Sequence, residues 1–282
     1  MKTEITITSL RAALRAARNA GKSIALVPTM GNLHQGHITL VHAAKQRADL
    51  VVASIFVNPT QFGINEDFDK YPRTLSADST LLADNGCDIL FAPAATEMYP
   101  DGRQQSTSVS VSGITDRLCG KSRPGHFTGV ATVVSKLFNI VQPDMALFGE
   151  KDFQQLAVIR RFSRELCFPV GIIGVATVRA DDGLALSSRN GFLSSDERKL
   201  APQIFATMSN LRNAIVGGQR DYAMLTNAAT AHLAKCGFVP EYVEVLNQEL
   251  EPARHDDKAI VILVAAKLGN TRLIDNLSIE LV

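Results

Sequence analysis

Between residues 24 and 178, short apolar runs alternate with helical patterns, and this alternation limits the possible folds more than any other feature. Strand-like runs fall at 24–28, 50–57, 88–91, 145–148 and 170–178, most of them apolar on both faces. Between them lie helical patterns. One begins near His37 and carries Ile38, Val41, Ala44 and Ala48; others cover 74–84, 129–141 and 153–166. Continuous apolar strands separated by helices pair in parallel and are covered on both faces. Right-handed crossovers then give a doubly wound parallel sheet of the α/β, Rossmann-like class, with ligands at the carboxyl ends of its strands. Ahead of this repeat, Ser9 reads as the N-cap of a helix with Leu10, Ala13, Leu14 and Ala17 on one face, closed by Gly21.

The pattern changes near residue 180. Ser194 and Glu197 have capping-box spacing and open a predicted long helix to about 216, with a second at 222–235. Three strand-like stretches follow at 241–246, 259–266 and 273–281. Helices followed by consecutive strands make a smaller α+β domain. The expected division is therefore 1–179 and 180–282, the second part lid-like, and 282 residues suffice for two unequal domains.

Charge and cysteine usage narrow the function. Lys plus Arg (29) nearly cancels Asp plus Glu (28), which argues against a nucleic-acid surface and leaves room for a small anion site. Cys87, Cys119, Cys167 and Cys236 are scattered without ligand spacing and read as free thiols of a reducing compartment. The N-terminus, with Glu4 in place of a basic apolar leader, is not a signal peptide, and no apolar run nears the roughly 20 residues of a membrane span. A soluble, cytoplasmic protein without membrane partners is expected.

Four segments carry chemistry. Thr29-Met30-Gly31-Asn32-Leu33-His34-Gln35-Gly36-His37 joins the first repeat strand to its helix. Its glycines allow close backbone approach, and the helix start offers N–H groups and positive partial charge to a polyphosphate. His34 and His37, three apart, can face one bound group. No third ligand accompanies them, so no metal site is expected there. The segment is neither GxGxxG nor a P-loop. Next, Asn58-Pro59-Thr60-Gln61-Phe62-Gly63 follows a strand, and Gln61 offers both a donor and an acceptor to a polar small molecule. The third, Phe148-Gly149-Glu150-Lys151-Asp152-Phe153-Gln154-Gln155, also ends a strand. Asp152 and Gln155 have capping spacing, but Lys151 is a cation at a helix start, which an anion there would relieve. In the fourth, Val178 to Asn190, the donors of Ser187, Ser188 and Arg189 can chelate phosphate oxygens. A helix with Val130, Val133 and Val134 on one face follows Arg123-Pro-Gly-His126, and packing alone accounts for those valines.

HxGH at a first strand-to-helix turn resembles the signature of the nucleotidylyltransferases and class I aminoacyl-tRNA synthetases. Its fuller form from Pro28 to His37 resembles that of the pantothenate synthetase family. The NPTQF, GEKD and SSRN segments, and Thr271-Arg-Leu-Ile-Asp275-Asn276, are similar to the same family in the same order. The resemblance implies an AMP-forming ligase that condenses pantoate with β-alanine through a pantoyl-adenylate, with ATP as substrate, Mg²⁺ held mainly by phosphate oxygens, and a homodimer. It implies ATP contacts at Met30, Gly31, Asn32, Leu33, His34, Gln35, Gly36, His37, Gly149, Glu150, Lys151, Asp152, Val178, Leu186, Ser187, Ser188 and Arg189. His37, His34, Lys151 and Arg189 would be catalytic. Gln61, Gln155, Val133 and Val134 would hold pantoate, and Gln61 also β-alanine. Rival readings are a nucleotidylyltransferase, a nucleotide-sensing module and a metal-dependent hydrolase using His34 and His37.

Overall fold

The structure, a computed structural model, describes residues 1–63, 66, 68–102 and 106–281. The chain divides into two compact units, Met1–Glu150 with Gln154–Ala176, and Lys151–Phe153 with Thr177–Val282.

The first unit holds strands β1 (Lys2–Glu4), β2 (Ile24–Thr29), β3 (Leu50–Ile55), β4 (Ile89–Phe91), β5 (Met145–Gly149) and β6 (Gly171–Val175). Its helices are α1 (Ile7–Asn19), α2 (Gln35–Lys45), α3 (Leu75–Asp84), α4 (Ala95–Met98), α5 (Cys119–Ser122) and α6 (His126–Val141), and α7 (Phe153–Glu165) continues it. The strands form one sheet in the order β1-β4-β3-β2-β5-β6, with parallel pairing throughout. Alternate strand residues point to opposite faces. Ala25, Val27, Val51 and Ala53 pack with Leu40, Val41 and Ala44 of α2 and Leu82 of α3. Phe138 of α6 meets Phe162 of α7 at 6.1 Å between ring centroids. Burying a leucine such as Leu10 or Leu14 of α1, both fully enclosed, contributes about 1.5–3 kcal/mol.

Strand β2 lies between β3, the next strand in sequence, and β5, which the chain reaches only after building the other side. This is a topological switch point, where the carboxyl ends of a doubly wound sheet open a crevice. The HxGH turn leaves β2 here, and the GEKD segment begins at the end of β5.

The second unit holds α8 (Ser195–Leu200), α9 (Gln203–Val216), α10 (Tyr222–Lys235) and the antiparallel sheet β7 (Phe238–Asn247), β8 (Ala259–Leu268), β9 (Thr271–Glu280). Ile260, Ile262, Val264 and Ala266, at period two along β8, pack with Ile204, Met208 and Leu211 of α9 and Leu233 of α10.

Several local expectations need correction. Residues 2–4, where no strand was expected, are an edge strand: Lys2 N–H donates to Asp88 O at 2.9 Å, and Ala92 N–H to Glu4 O at 2.9 Å. Three residues are too few to show a period. Helix α1 is capped by Thr6, whose Oγ1 accepts from Ser9 N–H at 3.2 Å, so Ser9 lies inside the first turn. The capping box of Ser194 and Glu197 is present, but Pro202 has no N–H to give and splits the long helix into α8 and α9. Strand β6 stops at Val175, short of the expected 178, because the chain then enters a tight ribbon bridged at Arg179 and Ala185. None of the four cysteines forms a disulfide, and burial pushes the Cys87 thiol up to about 11.

Candidate active site

Helix α2 begins on His34, whose Nδ1 accepts from Gly36 N–H at 3.1 Å. His37 Nδ1 in turn accepts from His34 N–H at 3.2 Å, closing a capping box built from two imidazoles. Both Nδ1 atoms are acceptors, so in the neutral rings the proton sits on Nε2 and Nε2 is the donor. The rings lie 4.2 Å apart between centroids at 43°. Each histidine thus caps the helix through Nδ1. Gln35 is exposed at this helix start, with Gly36 beside it.

The turn before them is strained and pinned. Gly31 has φ +85° and Asn32 φ +50°, and a Cβ on Gly31 would stand 3.1 Å from Asp78 Oδ2. Asp78, buried in the first turn of α3, accepts from Asn32 N–H at 2.9 Å, Leu33 N–H at 2.8 Å and Thr74 Oγ1 at 3.0 Å. The backbone amides of Asn32 and Leu33 are therefore committed to the protein. Sequence reading missed Asp78, which looks there like an ordinary acidic residue complementing a helix dipole.

A second cluster fixes Gln61. Residues Pro59–Gln61 make a single 3₁₀ turn against α6 at Gly129, where a Cβ would lie 2.3 Å from Thr60 O. Asn58, wholly buried, donates through Nδ2 to Gln61 Oε1 and Gly129 O, both at 3.1 Å. Its Oδ1 accepts from Tyr99 Oη at 2.8 Å and Thr60 Oγ1 at 3.0 Å. Gln61 Nε2 donates to Met30 Sδ at 2.9 Å, which joins this cluster to the HxGH turn. Burial raises the Tyr99 phenol, while its bond with Thr60 pulls the other way, so it remains a donor at neutral pH.

The Gln61 carbonyl accepts from His126 Nδ1 at 2.8 Å, and His126 Nε2 faces Arg123 Nη1 at 3.0 Å. A carbonyl only accepts and a guanidinium only donates, so His126 carries its proton on Nδ1. Arg123 also pairs twice with Glu66, at 2.6 Å for each bond. Burial pushes the Glu66 carboxyl up, but hydrogen bonds and charge from Arg123 outweigh it and hold it below the ordinary 4.5. Val133 and Val134 are buried on α6, as core packing alone would place them.

Gly149 ends β5, and Glu150–Asp152 form a 3₁₀ turn that runs straight into α7, in place of a simple Asp152 cap. Glu150 lies over Gly174, where a Cβ would stand 2.9 Å from its Oε1. Gln155 is half-buried. Its neighbour Gln154 is the structural amide: it donates to Ile114 O at 2.8 Å and Arg117 O at 2.9 Å and accepts from Cys119 N–H at 3.0 Å.

In the second unit, Lys151 Nζ lies 4.0 Å from Asp152 Oδ1, which offsets part of its conflict with the helix start. Val178 O accepts from Leu186 N–H at 2.9 Å across the ribbon, and Ala180 N–H pairs with Leu184 O at 2.9 Å. Ser187 caps a 3₁₀ turn, Ser188–Phe192, by accepting from Arg189 N–H at 3.3 Å. The ribbon needs Gly183, at φ +90°, because a Cβ there would meet the Phe205 ring at 2.5 Å. Among the described residues no group of three His, Cys, Asp or Glu side chains could hold a metal, and no helix is long and apolar enough to cross a membrane.

A Rossmann-like sheet whose switch point carries an HxGH helix start defines a protein of the nucleotide-binding α/β class. Comparison with known proteins is more specific. The model of the family described as pantoate-beta-alanine ligase matches residues 2–278. A pantothenate synthetase of Pseudomonas putida (strain GB-1) is 60% identical over 282 residues, covering 100% of this chain and 98% of that protein. The crystal structure of pantothenate synthetase from Thermus thermophilus superposes with a TM-score of 0.92 at 46% identity, over 98% of this chain and 99% of that one. A pantoate-beta-alanine ligase from Francisella tularensis, solved with beta-gamma ATP and beta-alanine, gives 0.80 at 35% identity over 98% and 97%. The chain belongs to the pantoate-beta-alanine ligase family, and is a ligase that forms pantothenate.

Proposed function

We propose that the chain drives this condensation with ATP in two steps. A pantoate carboxylate oxygen attacks the α-phosphorus of ATP, and the bond to the bridging oxygen breaks, giving pantoyl-adenylate and pyrophosphate. The β-alanine amine, as the free base, then attacks the activated carbonyl; a C–N bond forms, AMP leaves, and the amine gives up one proton. A free carboxylate resists attack by an amine, so activation replaces one hard step with two easier ones.

The single observation that carries this reading is the paired histidine cap. Backbone N–H groups occupy both Nδ1 atoms, which directs two Nε2–H donors as a fixed unit. Donors set in place before the reaction stabilise developing phosphate charge without reorganising. In this reading Met30 to His37, Gly149 to Asp152, Val178 and Leu186 to Arg189 contact ATP, with His34, His37, Lys151 and Arg189 catalytic. Gln61 and Gln155, with Val133 and Val134 against the dimethyl group, hold pantoate. Gln61 also meets β-alanine, its amide oriented by Asn58 and Met30. The Francisella tularensis relative with beta-gamma ATP and beta-alanine supports these two substrates. The described residues form no metal site of their own. Mg²⁺ would accompany the nucleotide on its phosphate oxygens. A cytoplasmic homodimer belongs to the same reading, and light scattering of the purified chain tests the dimer.

The test is to incubate the protein with ATP, Mg²⁺, pantoate and β-alanine, omit each in turn, and measure AMP, pyrophosphate and pantothenate. Equal amounts of AMP and pantothenate, formed only with both acids, are expected. Labelled pyrophosphate should exchange into ATP with pantoate alone. ADP as product, or no exchange, would sink the adenylate route.

A further inference from the structure

The Thr271–Asn276 stretch is similar to the family pattern, yet the proposed chemistry gives it no task. In the fold it meets Lys151. Asn276, 5% exposed on β9, donates from Nδ2 to the Lys151 carbonyl at 2.8 Å. Its own backbone is fixed on both sides: Asn276 N–H donates to Asp275 Oδ1 at 2.8 Å, and Asn276 O accepts from Arg179 Nη2 at 3.1 Å. Arg179 grips Asp275 with two bonds, at 2.6 Å and 3.0 Å. It also donates to Gly183 O at 3.1 Å and lies 4.0 Å over the Phe205 ring.

One buried cluster thus ties together three separate pieces of chain: the 3₁₀ turn bearing Lys151, the 178–186 ribbon that leads to Ser187–Arg189, and β9. The first carries a cation suited to phosphate, and the second leads into hydroxyls and a cation suited to it. A lysine has a flexible four-carbon stem, so its reach is only as defined as the backbone from which it starts. Two-point pairing of Arg179 with Asp275 is the rigid form of such a link. Asn276 transmits that rigidity, because its amide is the group that reaches the Lys151 main chain.

We propose that Asn276 is a positioning residue: held by the Arg179–Asp275 pair, it sets the Lys151 backbone so that the ammonium meets the ATP phosphates. This rests on the reading of Lys151 as a phosphate ligand. Its prediction is selective. Loss of the amide donor should impair handling of ATP and leave handling of β-alanine alone, and it should do so only while Lys151 is present.

The experiment is a double-mutant cycle on the full chain, with pantothenate formation measured against ATP and against β-alanine. Asn276→Ala is expected to lower kcat/KM for ATP about 10- to 30-fold, with the KM for β-alanine within twofold of the parent. On a Lys151→Ala background the same change should cost less than about twofold, since coupled residues are not additive. Asn276→Asp is the second variant. It keeps the shape, puts a carboxylate against the carbonyl, and should reproduce the selective loss if Asn276→Ala does not fold by circular dichroism. An equal loss on both backgrounds, or a β-alanine KM that moves as far as that of ATP, overturns the positioning role. A Lys151→Ala single variant of parental rate overturns the phosphate reading itself, and the inference with it, without reference to Asn276.

Discussion

The HxGH turn and the Lys151 turn are both read as phosphate-facing, and they are held in opposite ways. His34 and His37 are fixed by backbone N–H groups two and three residues away. Lys151 is fixed by an amide 125 residues further along the chain. The first arrangement forms wherever the helix forms. The second exists only after β9 has paired with β8 and Arg179 has closed on Asp275. The imidazole caps themselves therefore need no distant partner, although Asp78 pins the turn before them, whereas the long-range clamp fails with any of its members.

Removing the donors themselves should have the largest effect. His37→Ala or Lys151→Ala is expected to slow adenylate formation by about 10²–10³, measured in single turnover with pantoate and ATP alone. Parental rates in both would remove them from the catalytic set.

Next come the supports, where the two regions should part company. Asp275→Ala leaves Arg179 without its buried partner and should cost about 3–5 kcal/mol, read as a lowered thermal midpoint. Asp78→Ala strips the acceptor from two backbone amides of the HxGH turn and should cost about 1–3 kcal/mol. If Asp78→Ala proves the more damaging to stability, the Asp78 pin outweighs the Arg179–Asp275 clamp and the order of the two supports reverses. A control lies outside both regions: Ser194→Ala breaks only a helix cap, costs about 1 kcal/mol, and should leave turnover unchanged.

The smallest effect is a pH dependence. The Glu66 carboxyl is held below its unfolded value of 4.5, so the folded state binds fewer protons there than the unfolded state. Its contribution to stability is complete above about 4.5 and is lost as pH falls through the depressed folded value. Glu66→Gln should therefore flatten the acid limb of a stability–pH curve and lower its neutral plateau by the carboxylate's contribution, leaving the slope above neutrality unchanged. An unchanged acid limb would mean that the Arg123 pair is too exposed to matter.

What could be read from the chain follows the same division. Long elements were legible because a period repeats within them: helix 222–235 lies where the pattern placed it, and β5 and α7 lie within a residue or so. Failures came where local signals were short or overruled. Lys2–Glu4 is a strand only because β4 offers it a ladder, and Pro202 cuts a helix that the apolar spacing alone would carry through.

By itself the sequence determined the α/β class and the smaller α+β part, and it proposed the four segments read as chemical, since helical and strand periods, caps and glycine turns are properties of neighbouring residues. Only the tertiary structure decided that Asp78 pins the HxGH turn, that Gly129 anchors Asn58, and that Asn276 reaches Lys151. Those assignments depend on hydrogen bonds between residues 45 to 125 apart, or on a Cβ-free surface that one element presents to another. No pattern in either segment encodes its partner, because the bond is made by where the fold puts the two groups.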